Sequence, residues 1–277
     1  MPESPEVDAL AGFLDTAASG RTVEAVDILE FRTVKTRATP PATLIGRTIT
    51  GAARHGKHIE VMFGDESLVV SLGRHGWIRW VEGDDDETGA DATRPPSLAT
   101  VSLSGEVAME MTDAGTWVSL GLFVVGDPRE VPAIAKLGPD PVDPDFTRAA
   151  FDAALGARRK QIKAILQEQE SLAGIGNAYS DEILHAAMIS PVAHAAALGD
   201  GERQRLFEAT VAVLRDAIGA RRGVPIDQLK PAKVAAMRVH GRTNESCPVC
   251  GDTVRDFSFS GASAQYCPTC QTEGVRL

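Results

Sequence analysis

Apolar residues recur with two different periods along this chain, and the change of period divides it into regions. Between Glu6 and Ala18 they recur every three or four positions, which predicts a helix near the start of the chain. Short β-like runs punctuated by Gly, Asp and Pro follow, and they predict strands. The runs are Val23–Leu29, Thr48–Ala53, His58–Phe63, Leu68–Leu72, Trp77–Val81, Ala99–Leu103, Val107–Thr112 and Val118–Val125. Many short strands at this spacing indicate a sandwich or barrel.

Helical periodicity returns after a segment rich in Pro and Asp. The predicted helices are Phe146–Ala154, Lys160–Gln169, Asn177–Ala187 and Gly201–Ala220. A small module that contains all four cysteines ends the chain. The pattern therefore predicts an α+β protein with a β-rich domain over residues 1–127, a linker over 128–145, a helical domain over 146–243 and a cysteine module over 244–277.

The cysteine module has the spacing of a zinc site. Cys247 and Cys250 form one CxxC pair, Cys267 and Cys270 form another, and sixteen residues separate the two pairs. Such pairs hold thiolates on tight turns and are typical of tetrahedral structural zinc. A module this short buries little apolar surface, so we expect the metal to supply its folding energy. Chance pairs or a redox site are the alternatives.

The distribution of charge favours the helical region as the part that contacts an anionic partner. The whole chain has a formal net charge of −10, which by itself argues against nucleic-acid binding. Residues 152–243, however, contain thirteen basic and ten acidic side chains. Part of the excess acid lies in the run from Glu82 to Glu87, which we interpret as a solvated loop that points away from any DNA.

No targeting or membrane segment is evident in the sequence. The first ten residues carry two further acids beside Glu3 and no basic residue, which is unlike a secretory signal. No stretch reaches the roughly 18 uninterrupted apolar residues of a membrane span. We therefore expect a cytoplasmic protein with no membrane partner.

Pro2 offers a possible nucleophile at the N-terminus. A small second residue normally allows removal of the initiator Met, which would leave Pro2 with a free secondary amine. Unperturbed α-amino groups titrate near about pH 8, so part of the amine is unprotonated at neutral pH. Such an amine can attack C1′ of a deoxyribose, expel the base and form an iminium, after which β-elimination cleaves the strand. Glu3 lies beside it in the sequence and could move protons.

Four motifs in register resemble the formamidopyrimidine-DNA glycosylase / endonuclease VIII family. They are the opening MPESPEVDAL, the segment from Arg54 to Lys57, the segment from Leu172 to Glu182 and the terminal zinc hairpin; the Leu137–Pro141 segment also resembles the interdomain segment of the family. The resemblance covers nearly the whole chain. It implies an N-terminal β-sandwich with a leading helix, a helix-two-turn-helix domain that ends in a zinc finger, and DNA in the cleft between them.

The resemblance also implies an activity and site residues. The activity is base-excision repair by a monomeric glycosylase and AP lyase that flips a damaged nucleotide out of the stack. Pro2 corresponds to the nucleophile and Glu3 to the assisting acid. Lys57 corresponds to a lysine near the lesion, and Lys163 and Asn177 correspond to residues that contact phosphate. The turn from Gly174 to Gly176 and the helix start after it would also suit an anion.

Three positions depart from the family pattern. Ala262 stands where the finger usually has a phosphate-gripping arginine, and Thr116 replaces the arginine that pairs with the orphaned base. Arg74 stands where a void-filling Met is common, and Trp117 keeps an aromatic wedge, with core packing as its alternative. The segment 223–241 is short and lacks a long loop like the one that covers 8-oxoguanine. Oxidised pyrimidines, abasic sites or a bulkier adduct therefore fit the sequence as substrates at least as well.

Two other functions are compatible with the sequence. One is a catalytically weak or inactive family member that still binds damaged DNA, because the finger arginine is missing. The other is an acidic two-domain protein whose zinc ribbon docks another protein, and the charge of −10 is its main support. Retention of Pro2, Glu3 and Lys57 together favours the enzyme, which would act in the cytoplasm of a bacterial-type cell, associated with the nucleoid when on DNA.

Overall fold

A computed structural model of the chain describes residues 1–83, 94–259 and 262–277. The described chain divides into two compact units. The first comprises residues 1–2, 6–135 and 223–229, and the second comprises residues 3–5, 136–222 and 230–277. Most of the acidic run after Glu82 falls on residues 84–93, so the predicted solvated loop lies outside the described residues.

The first unit contains two antiparallel sheets of four strands each. Its leading helix is α1 (Ser4–Ala18), which the sequence predicted from Glu6. The strands are β1 (Val23–Ile28), β2 (Gly51–His55), β3 (His58–Met62), β4 (Ser67–Ser71), β5 (Gly76–Glu82), β6 (Ser97–Leu103), β7 (Val107–Asp113) and β8 (Gly121–Val125). The sheet orders are β1-β6-β7-β5 and β2-β3-β4-β8. The predicted α+β class and sandwich are confirmed.

One hydrophobic core unites the two sheets and the leading helix of this unit. Alternate residues of β6 and β7, such as Val101 and Met109, point into it, while β4 is buried along most of its length. Leu10 and Leu14 of α1 pack into the same core. Successive side chains of a strand point to opposite faces of the sheet, so every second residue of β6 and β7 faces the core.

Two predicted strands begin later than the sequence indicated, and both have a local cause. The run from Thr48 to Ala53 joins β2 only at Gly51, because the backbone of Ile49 bonds instead to Gly20 and Arg21. The run from Val118 becomes β8 only at Gly121, because the backbone N–H groups of residues 119 and 120 donate to the Asp113 carboxylate.

The second unit is mainly helical and has its own core. A single turn, α2 (Pro132–Ala135), precedes it in the chain. The next helices are α3 (Arg148–Leu155), α4 (Ile162–Leu166), α5 (Asn177–Ala187), α6 (Asp200–Arg221) and α7 (Leu229–Ala236). The core includes Phe151, Ile162, Tyr179 and Leu214. The bounds of α5 match the prediction, α4 is shorter than predicted, and α7 was not predicted.

The chain ends in a small hairpin with its own apolar cluster. Strands β9 (Arg255–Phe259) and β10 (Ala262–Tyr266) pair antiparallel, and α8 (Pro268–Gln271) follows. Val239 and Val254 pack with Cys247 and Cys267. Among the described residues, the helices are too short or too polar for any of them to cross a bilayer.

Candidate active site

The carboxylate of Glu3 caps the N-terminus of α5. Oε2 accepts hydrogen bonds from the backbone N–H groups of Gly176 (2.5 Å) and Tyr179 (3.3 Å), and Oε1 accepts one from Ala178 (3.1 Å). Glu3 is 1% exposed. The backbone N–H of Ser4 donates to the Gly174 carbonyl at 3.0 Å, which fixes the same segment. The first turn of a helix favours a negative charge, so this side chain sits in a field that suits it.

Gly176 makes this close approach possible. A Cβ atom at position 176 would lie 2.6 Å from Cδ of Glu3 and 2.8 Å from Oε2. Only hydrogen at this position therefore leaves room for the carboxyl group. The sequence predicted that an anion suits this turn, and the anion that the structure places there is Glu3. Any phosphate would have to reach Asn177 through its side chain.

Pro2 and Lys57 both belong to the first unit. Pro2 is buried and directly precedes Glu3 in the chain. Lys57 is half-buried in the two-residue turn between β2 and β3, after Gly56, whose φ is +57°. That positive φ is readily available to glycine and suits a tight hairpin turn. Next to the turn, Arg54 Nε donates to Asp8 Oδ1 at 3.2 Å, and this contact braces the turn end of the hairpin.

Asn177 is the first residue of α5. Its Oδ1 accepts a hydrogen bond from Gln167 Nε2 at 3.0 Å. This contact orients the Asn177 amide so that its NH₂ group lies on the side away from Gln167. An amide held in that way can donate to a phosphate oxygen.

Lys163 lies in a buried charge cluster of the second unit. Its Nζ contacts Asp181 Oδ1, and the other oxygen of Asp181 accepts a hydrogen bond from His240 Nδ1 at 2.8 Å. Burial lowers the pKa of Lys163, and the attraction of Asp181 opposes that effect. Lys163 is thus paired within the protein, which the sequence comparison did not anticipate. A role at the DNA backbone stays a prediction.

The two predicted void-filling positions lie on loops that are joined to each other. The backbone N–H of Arg74 donates to Ser119 Oγ at 3.0 Å, and Ser119 Oγ in turn donates to Asp113 Oδ2 at 2.9 Å. Trp117 lies on the second loop and is 81% exposed. That exposure excludes the core-packing alternative for Trp117.

Asp113 organises the loop that carries Trp117. Its carboxylate accepts hydrogen bonds from the backbone N–H groups of Gly115 (2.8 Å), Ser119 (2.7 Å) and Leu120 (3.1 Å). Desolvation acts to raise the pKa of Asp113, but these donors and the Ser119 hydroxyl outweigh it and lower the pKa below its usual value. The loop therefore depends on one ionised side chain.

The four cysteines converge in the geometry of a metal site. Their Sγ atoms lie within 4.8 Å of one another, with 3.9 Å between Cys247 and Cys270 and 3.3 Å between Cys250 and Cys267. Four sulfurs at about 2.3 Å from a tetrahedral Zn²⁺ stand roughly 3.8 Å apart. The donor set and its spacing fit zinc.

Two side chains connect the metal site to α5 and to the segment directly after it. His185 Nε2 lies 3.3 Å from Cys247 Sγ. Gln271 accepts from the Cys267 N–H and donates to the Ile189 carbonyl, both at 2.9 Å. The helix that Glu3 caps is therefore also attached to the zinc module. Ala262, the position without the finger arginine, is the first residue of β10.

Sequence reasoning missed two residues of this region. Lys233 on α7 places Nζ 3.1 Å from Glu3 Oε1, and Glu182 accepts backbone hydrogen bonds from residues 238–240. Glu182 belongs to a recognised motif, so its position could have been examined as a cap. Lys233 gave no signal, because it lies far from Glu3 in the sequence and α7 contains Pro231, which obscures the helical pattern.

Three family profiles match the chain. The formamidopyrimidine-DNA glycosylase N-terminal domain matches residues 1–117, and the H2TH domain of the same enzymes matches residues 137–226. The zinc finger found in FPG and IleRS matches residues 244–272. Together with the four clustered thiols, the last match establishes a structural Zn²⁺ site.

Relatives and solved structures agree with these profiles. The chain is 34% identical to the formamidopyrimidine-DNA glycosylase of Moorella thermoacetica over 262 residues, 91% of this chain and 92% of the relative. It is 47% identical over 146 residues to an uncharacterised formamidopyrimidine-DNA glycosylase-like protein of Mycobacterium tuberculosis, covering 53% of this chain and 91% of that protein.

Among solved structures, MutM (Fpg) from Thermus thermophilus superposes with a TM-score of 0.82 at 30% identity, with 98% of both chains covered. Fpg of Lactococcus lactis in complex with DNA that contains FAPY-dG gives 0.83 at 26% identity, covering 98% of this chain and 100% of that one.

Proposed function

The chain belongs to the formamidopyrimidine-DNA glycosylase family, and from that premise we propose that it excises damaged bases from DNA with Pro2 as its nucleophile. It is a base-excision-repair DNA glycosylase, and AP lyase activity is typical of its family. The observation that carries the assignment of the site is the burial of Glu3 against α5, directly beside Pro2 in the chain. A carboxylate fixed in this way is set up for proton transfer next to the amine.

The proposed chemistry begins with the unprotonated amine of Pro2. Its nitrogen forms a bond to C1′ of the damaged nucleotide, and the bond from C1′ to the base breaks as the base leaves with a proton. Opening of the sugar ring yields an iminium, which acidifies the C2′ proton. Loss of that proton expels the 3′ phosphate by β-elimination, and water then releases the sugar fragment from Pro2.

Each remaining site residue has a role that its chemistry supports. Glu3 donates and accepts the protons of ring opening and elimination. Lys57, on its braced hairpin turn, contacts the phosphate of the lesion or assists protonation, and Asn177 donates its amide N–H to phosphate. Lys163 acts on the DNA backbone from its cluster with Asp181.

We propose that Arg74 and Trp117 fill the space that the flipped nucleotide leaves. Trp117 is an exposed aromatic ring on a loop held by Asp113, and Arg74 lies on the loop joined to it through Ser119. An aromatic ring of this kind can stack on the neighbouring bases and compensate for lost base stacking. Thr116 cannot supply the pairing that an arginine gives, so Arg74 takes that part.

We propose that oxidised pyrimidines and abasic sites are better substrates than 8-oxoguanine. Residues 223–241 include the short helix α7 and no long loop that could cover an oxidised purine. Relatives are known in complex with DNA that contains FAPY-dG, 8-oxo-G or an abasic site. Single-turnover strand cleavage of duplexes that carry each of these lesions, and of one that carries an oxidised pyrimidine, ranks the substrates.

Borohydride trapping on an abasic oligonucleotide tests the nucleophile. We expect a covalent adduct with the protein whose Met1 has been removed, and none with Pro2→Gly or with an N-terminal tag that blocks the amine. Wild-type protein that binds the oligonucleotide but gives no adduct would instead support an inactive damage-binding protein. If the protein does not bind the oligonucleotide at any salt concentration, the result would support the alternative of a zinc ribbon that docks another protein.

We further propose that the enzyme works as a monomer on the bacterial chromosome, within the cytoplasm. The relatives named above are bacterial, and Fpg of Lactococcus lactis is known in complex with DNA that contains an abasic site. Light scattering during size-exclusion chromatography should give a mass near 29.3 kDa. A mass twice as large would contradict the monomer.

A further inference from the structure

The Glu3 carboxylate forms an ion pair with a lysine, in addition to its hydrogen bonds with backbone N–H groups. Lys233 Nζ lies 3.1 Å from Oε1, the oxygen that also accepts from the Ala178 N–H. The side chain of Lys233 is 12% exposed and that of Glu3 is 2% exposed. The attraction between two charges this well shielded from water is much stronger than at the surface, and removal of one partner leaves the other charge buried and uncompensated.

The ammonium of Lys233 has a second neighbour. Nζ lies 4.9 Å from the centroid of the Tyr179 ring, and the backbone N–H of Tyr179 donates to the other oxygen of Glu3. A cation over the face of an aromatic ring is attracted to it. Lys233 is therefore directed to Glu3 by a ring that belongs to the capped helix itself.

The position of α7 has supports that do not involve this ion pair. The guanidinium of Arg242 donates to the carbonyls of Val234 and Met237, at 3.1 and 3.2 Å, near the C-terminal end of the helix. Met237 is buried in the core of the second unit. With its end held in this way, α7 has little need of a buried charge for attachment, which argues against a purely structural role for Lys233.

We propose that Lys233 is a positioning residue for the glycosylase reaction, which holds the Glu3 carboxylate in its orientation and balances its charge beside Pro2. Three donors to this carboxylate are backbone N–H groups fixed at the start of α5, whereas the ammonium of Lys233 ends a flexible side chain. Its ammonium can follow the carboxyl group as the charge of Glu3 changes during proton transfer. The inference rests on the proposed role of Glu3.

Kinetics of the full-length, zinc-loaded protein with a native N-terminus test this role. We expect Lys233→Met to lower the single-turnover rate of base excision at least tenfold, while affinity for a non-cleavable abasic-site duplex stays within threefold of wild type. Lys233→Arg should restore the rate to within threefold, because it returns the positive charge. Lys230→Met, on the exposed side of the same helix, serves as the matched control and should leave the rate unchanged.

A double-mutant cycle shows whether Lys233 acts through Glu3. In a Glu3→Gln background the buried carboxylate is gone, so Lys233→Met should change the residual rate less than twofold. This pair of variants also serves if Lys233→Met alone does not fold, since it leaves no unpaired buried charge. A tenfold loss in the Glu3→Gln background would overturn the proposal.

Other outcomes separate this inference from the proposed function. Full activity of Lys233→Met overturns the role of Lys233 and leaves the function intact. Parallel loss of rate and affinity without rescue by Lys233→Arg shows a structural role and also overturns it. Absence of any borohydride adduct with wild-type protein overturns the proposed function itself, whatever the variants do.

Discussion

Replacement of Gly176 by alanine would place a methyl group where the Glu3 carboxyl group now lies. The backbone at this position has φ −127° and ψ −156°, in the extended range that alanine can approach. The new Cβ would lie 2.6 Å from Glu3 Cδ, whereas ordinary contacts begin at 3.4 Å. The carboxyl group therefore has to retreat by about 0.8 Å.

That retreat disrupts the hydrogen bonds of the cap. The contacts from Ala178 and Tyr179, at 3.1 and 3.3 Å, have the least room to lengthen. Hydrogen bonds to a charged group contribute roughly 1.5–3 kcal/mol each. With partial relaxation, we expect Gly176→Ala to reduce the free energy of unfolding by about 3 kcal/mol. A displacement of this size at a reacting group costs on the order of a hundredfold in rate.

Urea unfolding followed by far-UV circular dichroism and single-turnover excision measure the two effects. Gly219→Ala is the control, because a Cβ at this position in α6 meets nothing within 4 Å. Its free energy of unfolding should rise by about 0.5–1 kcal/mol, since alanine is more stable than glycine inside a helix. A Gly176→Ala protein with wild-type stability and wild-type rate would refute the view that Glu3 is both cap and catalyst.

Three further predictions concern other parts of the molecule. Asp113→Asn should lower the free energy of unfolding by about 2 kcal/mol at pH 7, because an amide replaces an ionised acceptor of several hydrogen bonds. The pKa of Asp113 is lowered from 3.8 in the folded protein, so its contribution is present above about pH 4 and is lost as pH falls through the folded value. Urea titrations should therefore show a smaller difference in free energy of unfolding between wild type and Asp113→Asn at pH 3 than at pH 7. An equal difference at both pH values would contradict this. Trp117→Ala should leave thermal stability within about 0.5 kcal/mol, because the ring is exposed, and weaken binding to abasic duplex DNA; unchanged affinity would remove its proposed role as a wedge. Chelation of zinc, or Cys250→Ser, should unfold the C-terminal hairpin and reduce DNA affinity, as measured by circular dichroism and fluorescence anisotropy; a chelated protein with both signals unchanged would exclude a structural metal.

The sequence predicted those features whose cause is local. The apolar period fixed α5 at its observed bounds, and the two CxxC pairs indicated a metal site whose sulfurs do converge. The alternation of apolar residues predicted the strands of the sandwich to within a few residues. In each case the pattern that carries the prediction spans a short stretch of sequence, so neighbouring residues are enough to predict the element.

Features that depend on distant contacts could not be predicted in this way. Lys163 matches a phosphate-binding lysine in the sequence, yet its ion pair with Asp181 becomes evident only when α4 and α5 are brought together. The approach of Lys233 to Glu3 depends on α7, a helix that the sequence does not predict because it contains Pro231. Likewise, the predicted anion site at Gly176 is occupied by a side chain from the other end of the chain.

The hydrogen bond between Gly176 and Glu3 joins residues 173 positions apart. Closing a loop of that length costs roughly 4–5 kcal/mol of chain entropy, so this contact is expected to form late in folding. During synthesis, the leading residues emerge from the ribosome long before the helix that receives them. A chain that stops before α5 would therefore carry the amine of Pro2 but lack the backbone N–H groups that hold the Glu3 carboxylate.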